Sequence, residues 1–560
     1  MAEGKSGSRG GVLGLLSDIE IAQRATLRPI TEIARRVGLT EDDYEPYGRY
    51  KAKISLHLYE RLKDRPDGKL IYVTAITPTP AGEGKTCTAV GLTQALGRLG
   101  KRVFLCLREP SLGPTFGIKG GAAGGGYAQV VPMDEINLHF TGDIHAVGAA
   151  HNLLAAMIDN HLYHGNELGI DPQRILWRRV IDLCDRALRR ITIGADGKGG
   201  GPVRETGFDI TAASEVMAIL CLATDLADLK ERLGRILVAY TYDGAPVYAR
   251  DLKAVGAMAL LLKDALRPNL VQTLEGQPAF IHGGPFANIA HGNNSVLATR
   301  TALKLADYVV TEAGFATDLG AEKFFHIKCR TAGLKPSAVV IVATAKAVEY
   351  HSSRHPRGGL DNLSKHIENI RHFGLEPVVA INRFDDDTPA ALSRIVKFCG
   401  KLGVEAVVAT HYRDGGAGAR DLAEAVVRSV RVNRRKKVRY LYSYADPIPA
   451  KIEAVARKLY GADGVDFHQE ASNDLELLAK QGYGTLPVCI AKTPLSLSDN
   501  PKLPGRPTGF RITVNELRIS AGAGFVVAIC GNIVTMPGLP KIPAAARIRI
   551  LPDGSAVGLS

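Results

Sequence analysis

The chain has 560 residues, 46% of them hydrophobic and 23% charged, proportions that exclude a disordered or fibrous protein and, at this length, call for two or three packed units. Lys and Arg outnumber Asp and Glu by 70 to 57, giving a formal charge of +13, which favours anionic partners such as nucleotides or polycarboxylates. No apolar run has the length of a membrane span or the pattern of a secretory leader, and the eight cysteines show no C-x-x-C pair, so the expectation is a cytoplasmic protein with reduced thiols and no membrane partner.

Residues 1–10 read as a loose tail, followed by the short apolar patch Val12–Leu16 and by Ser17 and Asp18, which can cap a helix through about Val37. From Leu70 to Ile76 runs an apolar, β-favouring stretch. A Gly-rich turn, a helix pattern from Lys85 to Leu99 and a second strand, Val103–Leu107, complete a βαβ unit. The segment from Thr141 to Asp264 reads as mainly helical, with Gly197–Pro202 as a hairpin-like turn. Further buried-strand candidates recur at Asp307–Thr311, Ala338–Thr344, Pro377–Ile381 and Glu405–Ala409, each spaced for a helix between, an alternation that predicts a mostly parallel sheet covered on both faces. After Thr508 the pattern turns strand-like, at Phe510–Val514 and Phe525–Ile529.

The fold expected is α/β and phosphate-loop NTPase-like. Residues 1–135 with about 265–375 would form a nucleotide-binding domain, about 136–264 a mainly helical insertion, and about 376–560 a C-terminal α/β domain. The basic run Arg434-Arg435-Lys436-Lys437 has no aromatic platform around it, so it reads as a solvated stretch and no nucleic-acid partner is expected. The fifteen histidines show no two-His-plus-carboxylate helix motif, so they read as satisfied or exposed side chains.

The string Thr79-Pro80-Ala81-Gly82-Glu83-Gly84-Lys85-Thr86 follows an expected strand and opens an expected helix, the setting a phosphate-binding loop requires. Gly82 and Gly84 let the backbone turn its amide groups toward an anion, and the helix dipole points there too. Lys85 would reach the β- and γ-phosphates of ATP, and the Thr86 hydroxyl would ligate Mg²⁺. Thr79 stands where the generic motif has its first glycine.

With this loop in view, the strings TPTPAGEGKT at 77–86, REPSLGPTFGIKGGAAGGGYAQVVPMDEINLHFTGDIHA at 108–146, LLAAMIDNH at 153–161, HGGPFANIAHG at 282–292 and MPGLPKIPAA at 536–545 closely resemble formate–tetrahydrofolate ligases over nearly the whole chain. The resemblance implies joining of formate to tetrahydrofolate with ATP through formyl phosphate, giving 10-formyltetrahydrofolate, ADP and phosphate. It implies Arg108, beside Glu109, as the holder of formate and formyl phosphate, a role a permanently charged guanidinium fork suits. It implies Asp143 as acceptor of the amine proton, and Phe384, Tyr412 and Phe315 as aromatic neighbours of the folate. Gly120–Gly126 reads either as a second anion nest or as a close-packed turn. A monovalent cation activator and a homotetramer or homodimer are also implied.

Some positions depart from the family pattern: Tyr412 replaces a usual Trp, Asn293 a Cys, Ala316-Thr317 a Gly-Ala pair, His326 an Asp, and Ala345-Lys346 a Val-Arg pair. Two rivals to the active ligase are a partitioning or transport ATPase, and a folate- or nucleotide-binding homologue with weakened catalysis.

Overall fold

The computed structural model describes residues 16–80, 82–117, 123–352 and 360–559. The N-terminal tail, most of the Val12–Leu16 patch, Ala81 and residues 120–122 of the glycine stretch lie outside the described residues.

The expected parallel strands form at Val103–Leu107, Tyr308–Glu312, Lys69–Ala75, Pro336–Ala343, Pro377–Asn382 and Ala406–Ala409. Alternate side chains of each enter opposite apolar layers. Leu70 and Tyr72 join one cluster while Ile71, Val73 and Ala75 join the other, and Phe104 and Cys106 part in the same way from Val103, Leu105 and Leu107. A strand buried on both faces has no polar side to display, so its sequence is a continuous apolar run. Helices Lys85–Arg98 and Arg420–Asn433 cover one face, contributing Val90, Leu92, Leu422 and Val426 to its core. Helices Val296–Leu305 and Leu360–His372 cover the other with Leu297, Ala302, Leu363 and Ile367.

These strands belong to a twelve-stranded sheet whose main path runs Tyr44–Pro46, Ala52–Ile54, Asn269–Thr273, Pro278–Ile281, then the six above in the order given. The first four pair antiparallel, and from Pro278–Ile281 onward every neighbouring pair is parallel. From Lys69–Ala75 the chain crosses toward one edge of the sheet to Val103–Leu107, while from the adjacent Tyr308–Glu312 it crosses toward the other edge to Pro336–Ala343. Loops therefore diverge at the carboxyl ends of this central pair and leave a crevice there.

The structure corrects three expectations. The helix expected from Ser17 to Val37 is two helices, Asp18–Arg24 and Ile30–Arg36, because Pro29 cannot continue a helix from its preceding residue. The stretch expected to be mainly helical does hold the long helix Asp143–Tyr163, but seven short strands follow between Ile170 and Tyr248. They are three to six residues long and pair largely with one another, too short for a period-two signal to outweigh neighbouring helix formers. Gly197–Pro202 does connect an antiparallel pair, Ile191–Ile193 with Arg204–Thr206. Finally, the main sheet continues through Pro377–Asn382 and Ala406–Ala409, past the boundary expected near 375.

Near the C-terminus a four-stranded sheet runs in the order Gly464–Phe467, Arg511–Ser520, Phe525–Cys530, Val488–Ala491. Its second and third strands match the strand-like runs of the sequence. The eight cysteines are free thiols, and no helix among the described residues is long and apolar enough to cross a membrane.

Candidate active site

A cleft of about 810 Å³ opens at the carboxyl ends of the parallel strands. Much of its lining comes from the segments that directly follow those strands: Gly82–Thr86 after Lys69–Ala75, Arg108 and Glu109 after Val103–Leu107, Phe315 after Tyr308–Glu312, Phe384 after Pro377–Asn382, and Tyr412 after Ala406–Ala409. Five strand ends thus bring residues spread over more than half the chain to one place.

Gly82 and Gly84 adopt φ of +81° and +68°, the left-handed region glycine supplies. Gly84 has a second reason to be glycine, since an added Cβ would lie 2.4 Å from the Asn382 side-chain nitrogen. Glu83 turns inward: one carboxylate oxygen accepts from the Thr79 N–H at 2.8 Å and the other from the Thr344 hydroxyl at 2.5 Å. Thr79 therefore shapes the loop from behind it, and Pro80 is exposed; neither lines the cleft. The loop delivers Lys85 and Thr86 at the start of helix Lys85–Arg98.

Both side chains meet one partner that the sequence reading passed over. Glu312, the last residue of the neighbouring strand, accepts hydrogen bonds from the Lys85 ammonium and from the Thr86 hydroxyl, the latter at 3.1 Å to each carboxylate oxygen. Burial alone would raise its pKa, but the Lys85 ammonium, the Arg108 guanidinium and the two hydrogen-bond donors outweigh burial and hold it below its ordinary value. An acid ending an apolar strand, Tyr308-Val309-Val310-Thr311-Glu312, was the available signal, because a charge there must face a polar crevice. Thr86 and Glu312 together offer hard oxygen donors, which fit Mg²⁺. No group of three or more His, Cys, Asp or Glu among the described residues is arranged to hold a metal by itself.

Arg108 donates through Nη1 to the Pro285 carbonyl at 3.2 Å, and its Nε is buried without a hydrogen-bond partner. Gly314 leaves room for it, since a Cβ there would approach Arg108 Nη1 at 3.2 Å and Ala287 Cβ at 2.3 Å. No ion pair joins Arg108 to Glu109 among the described residues. Glu109 is buried, with one carboxylate oxygen unpartnered. Burial, and then the nearby Asp143 carboxylate, push its pKa well above the ordinary value, against the Lys53 ammonium.

Asp143 does not line the cleft. It is 2% exposed at the start of helix Asp143–Tyr163, ion-paired with Lys53 at 2.5 Å and accepting from Asn269 at 2.7 Å. Asp143, the expected proton acceptor, is close enough to Glu109 to act on its charge, and both its carboxylate oxygens accept hydrogen bonds.

Phe315 lines the cleft with φ of +60°, a conformation costing a non-glycine residue about 1–2 kcal/mol, of the kind found concentrated at ligand sites. Phe384 carries the Lys346 ammonium 4.7 Å from its ring centre. Tyr412 is 47% exposed and donates its hydroxyl to Asp18 at 3.0 Å. Gly124 and Gly125 pair with Gln129 and Ala128 in a tight hairpin at the edge of the cleft, so this end of the glycine stretch is a close-packed turn. Of the departures noted above, Tyr412 alone lines the cleft. Asn293, Ala316, Thr317 and His326 are buried elsewhere, Thr317 bonded to His366 at 2.6 Å and His326 accepting from the Leu441 N–H at 3.1 Å.

A family model described as formate–tetrahydrofolate ligase matches residues 16–560. The chain belongs to the formate–tetrahydrofolate ligase family. It is 60% identical over 557 residues to a formate–tetrahydrofolate ligase of Symbiobacterium thermophilum, and 57% identical over 560 residues to one of Methylibium petroleiphilum. Each alignment covers 97% of this chain and 100% of the relative. It is thus an enzyme of a ligase family, and nothing in the comparisons favours a homologue that has lost catalysis.

Proposed function

We propose that the chain ligates formate to tetrahydrofolate through formyl phosphate, giving 10-formyltetrahydrofolate, ADP and phosphate. The observation that carries this reading is the single cleft shared by Lys85, Arg108, Phe384 and Tyr412. Formate resists nucleophilic attack, so one of its oxygens must first displace ADP from the γ-phosphorus of ATP. Lys85 and the amides of Gly82–Lys85 hold the phosphates at the helix N-terminus. The Arg108 fork holds the small carboxylate beside them, which turns a three-body encounter into an oriented reaction. Mg²⁺ bound with ATP would be held by Thr86 and Glu312, and would supply charge neutralisation at the phosphates.

The folate amine then attacks the formyl carbon, the bond from that carbon to the phosphate oxygen breaks, and the departing phosphate takes up the amine proton. Phe384 and Tyr412 offer faces to the flat pterin, and stacking on them fixes the amine's approach. Phe315, whose backbone is held in a left-handed conformation, lines the same cleft. The test is an assay for formyltetrahydrofolate with ATP, formate and tetrahydrofolate omitted in turn. Product only with all three is expected; ADP release that ignores formate and tetrahydrofolate would refute the reading in favour of a partitioning or transport ATPase. Arg108→Ala should lose formate-dependent turnover while ATP affinity stays near wild type, and equal loss of both would make Arg108 a structural residue.

A further inference from the structure

We propose that Asp18 is a positioning residue for tetrahydrofolate, its carboxylate locking the Tyr412 ring and the Gly125–Gly126 backbone into one wall of the cleft. The proposal rests on the ligase reading above.

Asp18 opens the helix Asp18–Arg24, whose start is fixed by Glu20 accepting from the Ser17 N–H at 2.8 Å and from the Ser17 hydroxyl at 2.7 Å. The Asp18 side chain lines the cleft. One of its oxygens, Oδ1, accepts both from the Gly126 N–H at 2.8 Å and from the Tyr412 hydroxyl at 3.0 Å. Its main-chain carbonyl accepts from the Gln129 side chain at 2.9 Å. Tyr412 is held at its other end too, where its carbonyl accepts from the Tyr127 N–H at 2.8 Å.

The three segments leave no slack between them. A Cβ on Gly126 would lie 2.0 Å from the Tyr412 carbonyl oxygen, and one on Gly125 would lie 3.1 Å from the Tyr412 ring and 3.3 Å from the second Asp18 oxygen. The ring is nonetheless 47% exposed, so packing alone does not fix its side-chain torsions. A half-exposed ring that swings must be ordered when a flat ligand stacks on it, which weakens binding. The Asp18 bond removes that freedom beforehand. Indole offers no hydroxyl, so a Trp at this position could not make this bond through an O–H; the latch is a feature of the tyrosine this chain carries.

The experiment uses the full-length chain with Asp18→Ala, Asp18→Asn, Tyr412→Phe and the Asp18→Ala/Tyr412→Phe double variant. A lost hydrogen bond to a charged group predicts a rise in KM for tetrahydrofolate on the order of tenfold in Asp18→Ala, with KM for ATP and for formate unchanged. Asp18→Asn keeps an acceptor oxygen and should restore most of the affinity. The double variant should be no worse than the poorer single variant, because both remove the same bond. If Asp18→Ala folds poorly, Tyr412→Phe reads the bond from its other end. An unchanged tetrahydrofolate KM, an equal rise in the ATP KM, or additive effects in the double variant would overturn the proposal while leaving the ligase reading intact. A wild-type chain that makes no formyltetrahydrofolate would overturn both.

Discussion

Replacing Glu312 by glutamine should change the affinity for ATP in opposite directions according to whether Mg²⁺ is present. In the structure the Glu312 carboxylate binds both the Lys85 ammonium and the Thr86 hydroxyl, and it stays ionised despite being 2% exposed. Metal-free ATP must draw Lys85 away from this carboxylate and then place its own negative charge beside it. Glutamine keeps the shape and removes the charge. Hydrogen bonds to charged groups are worth about 1.5–3 kcal/mol, so the variant should bind metal-free ATP roughly ten- to a hundredfold more tightly. With Mg²⁺ the neutral amide is the poorer partner for the cation, and affinity for the complex and kcat should both fall. Titration calorimetry of ATP into wild type and variant, with excess Mg²⁺ and then with a chelator, reads both signs. A variant that binds metal-free ATP no better than wild type would refute the assignment of Glu312 to the phosphate site.

Asp143→Asn leaves Lys53 buried opposite a neutral group, and breaking a buried pair destabilises by about 3–5 kcal/mol, so its melting temperature should drop; a fall in kcat with the melting temperature held would return Asp143 to the chemistry. Glu215, whose carboxylate accepts from the Gly522 N–H at 2.7 Å, has its pKa raised to about 7, because burial outweighs its bonds to the Gly522 and Ala523 amides. A raised pKa means the folded state holds the proton more tightly, so this contribution to stability is full below the ordinary value of 4.5 and is lost as pH rises through about 7. Glu215→Gln should therefore flatten the decline in melting temperature between about pH 5 and 8, and parallel wild-type and variant curves would contradict it.

The sequence made the parallel strands and the glycine turn that opens helix Lys85–Arg98 legible for related reasons. Pro377–Asn382 and Val103–Leu107 are buried on both faces, which writes an unbroken apolar run. The loop's chemistry is local, so glycines, lysine and threonine sit together where a strand meets a helix. The short strands between Ile170 and Tyr248 were not legible, because three residues of backbone pairing leave little pattern. The strand ending in Glu312 signals a charge in a crevice, but nothing near Glu312 or Asp18 in the chain identifies the partner of either. Glu312 meets Lys85 across 227 residues, and Asp18 meets Tyr412 across 394. Asp143 shows the converse: its neighbourhood in the chain matched the family pattern, while Lys53 and Asn269, remote in sequence, settle where its carboxylate points.

Those long separations bear on biosynthesis. A ribosome releases the glycine turn early, but Glu312 comes well after it and Tyr412 later still. A nascent or truncated chain would carry an anion-attracting turn without the acid that faces it or the aromatic wall that bounds the crevice. The crevice therefore gains all of these walls only after Ala406–Ala409 and Tyr412 have left the ribosome.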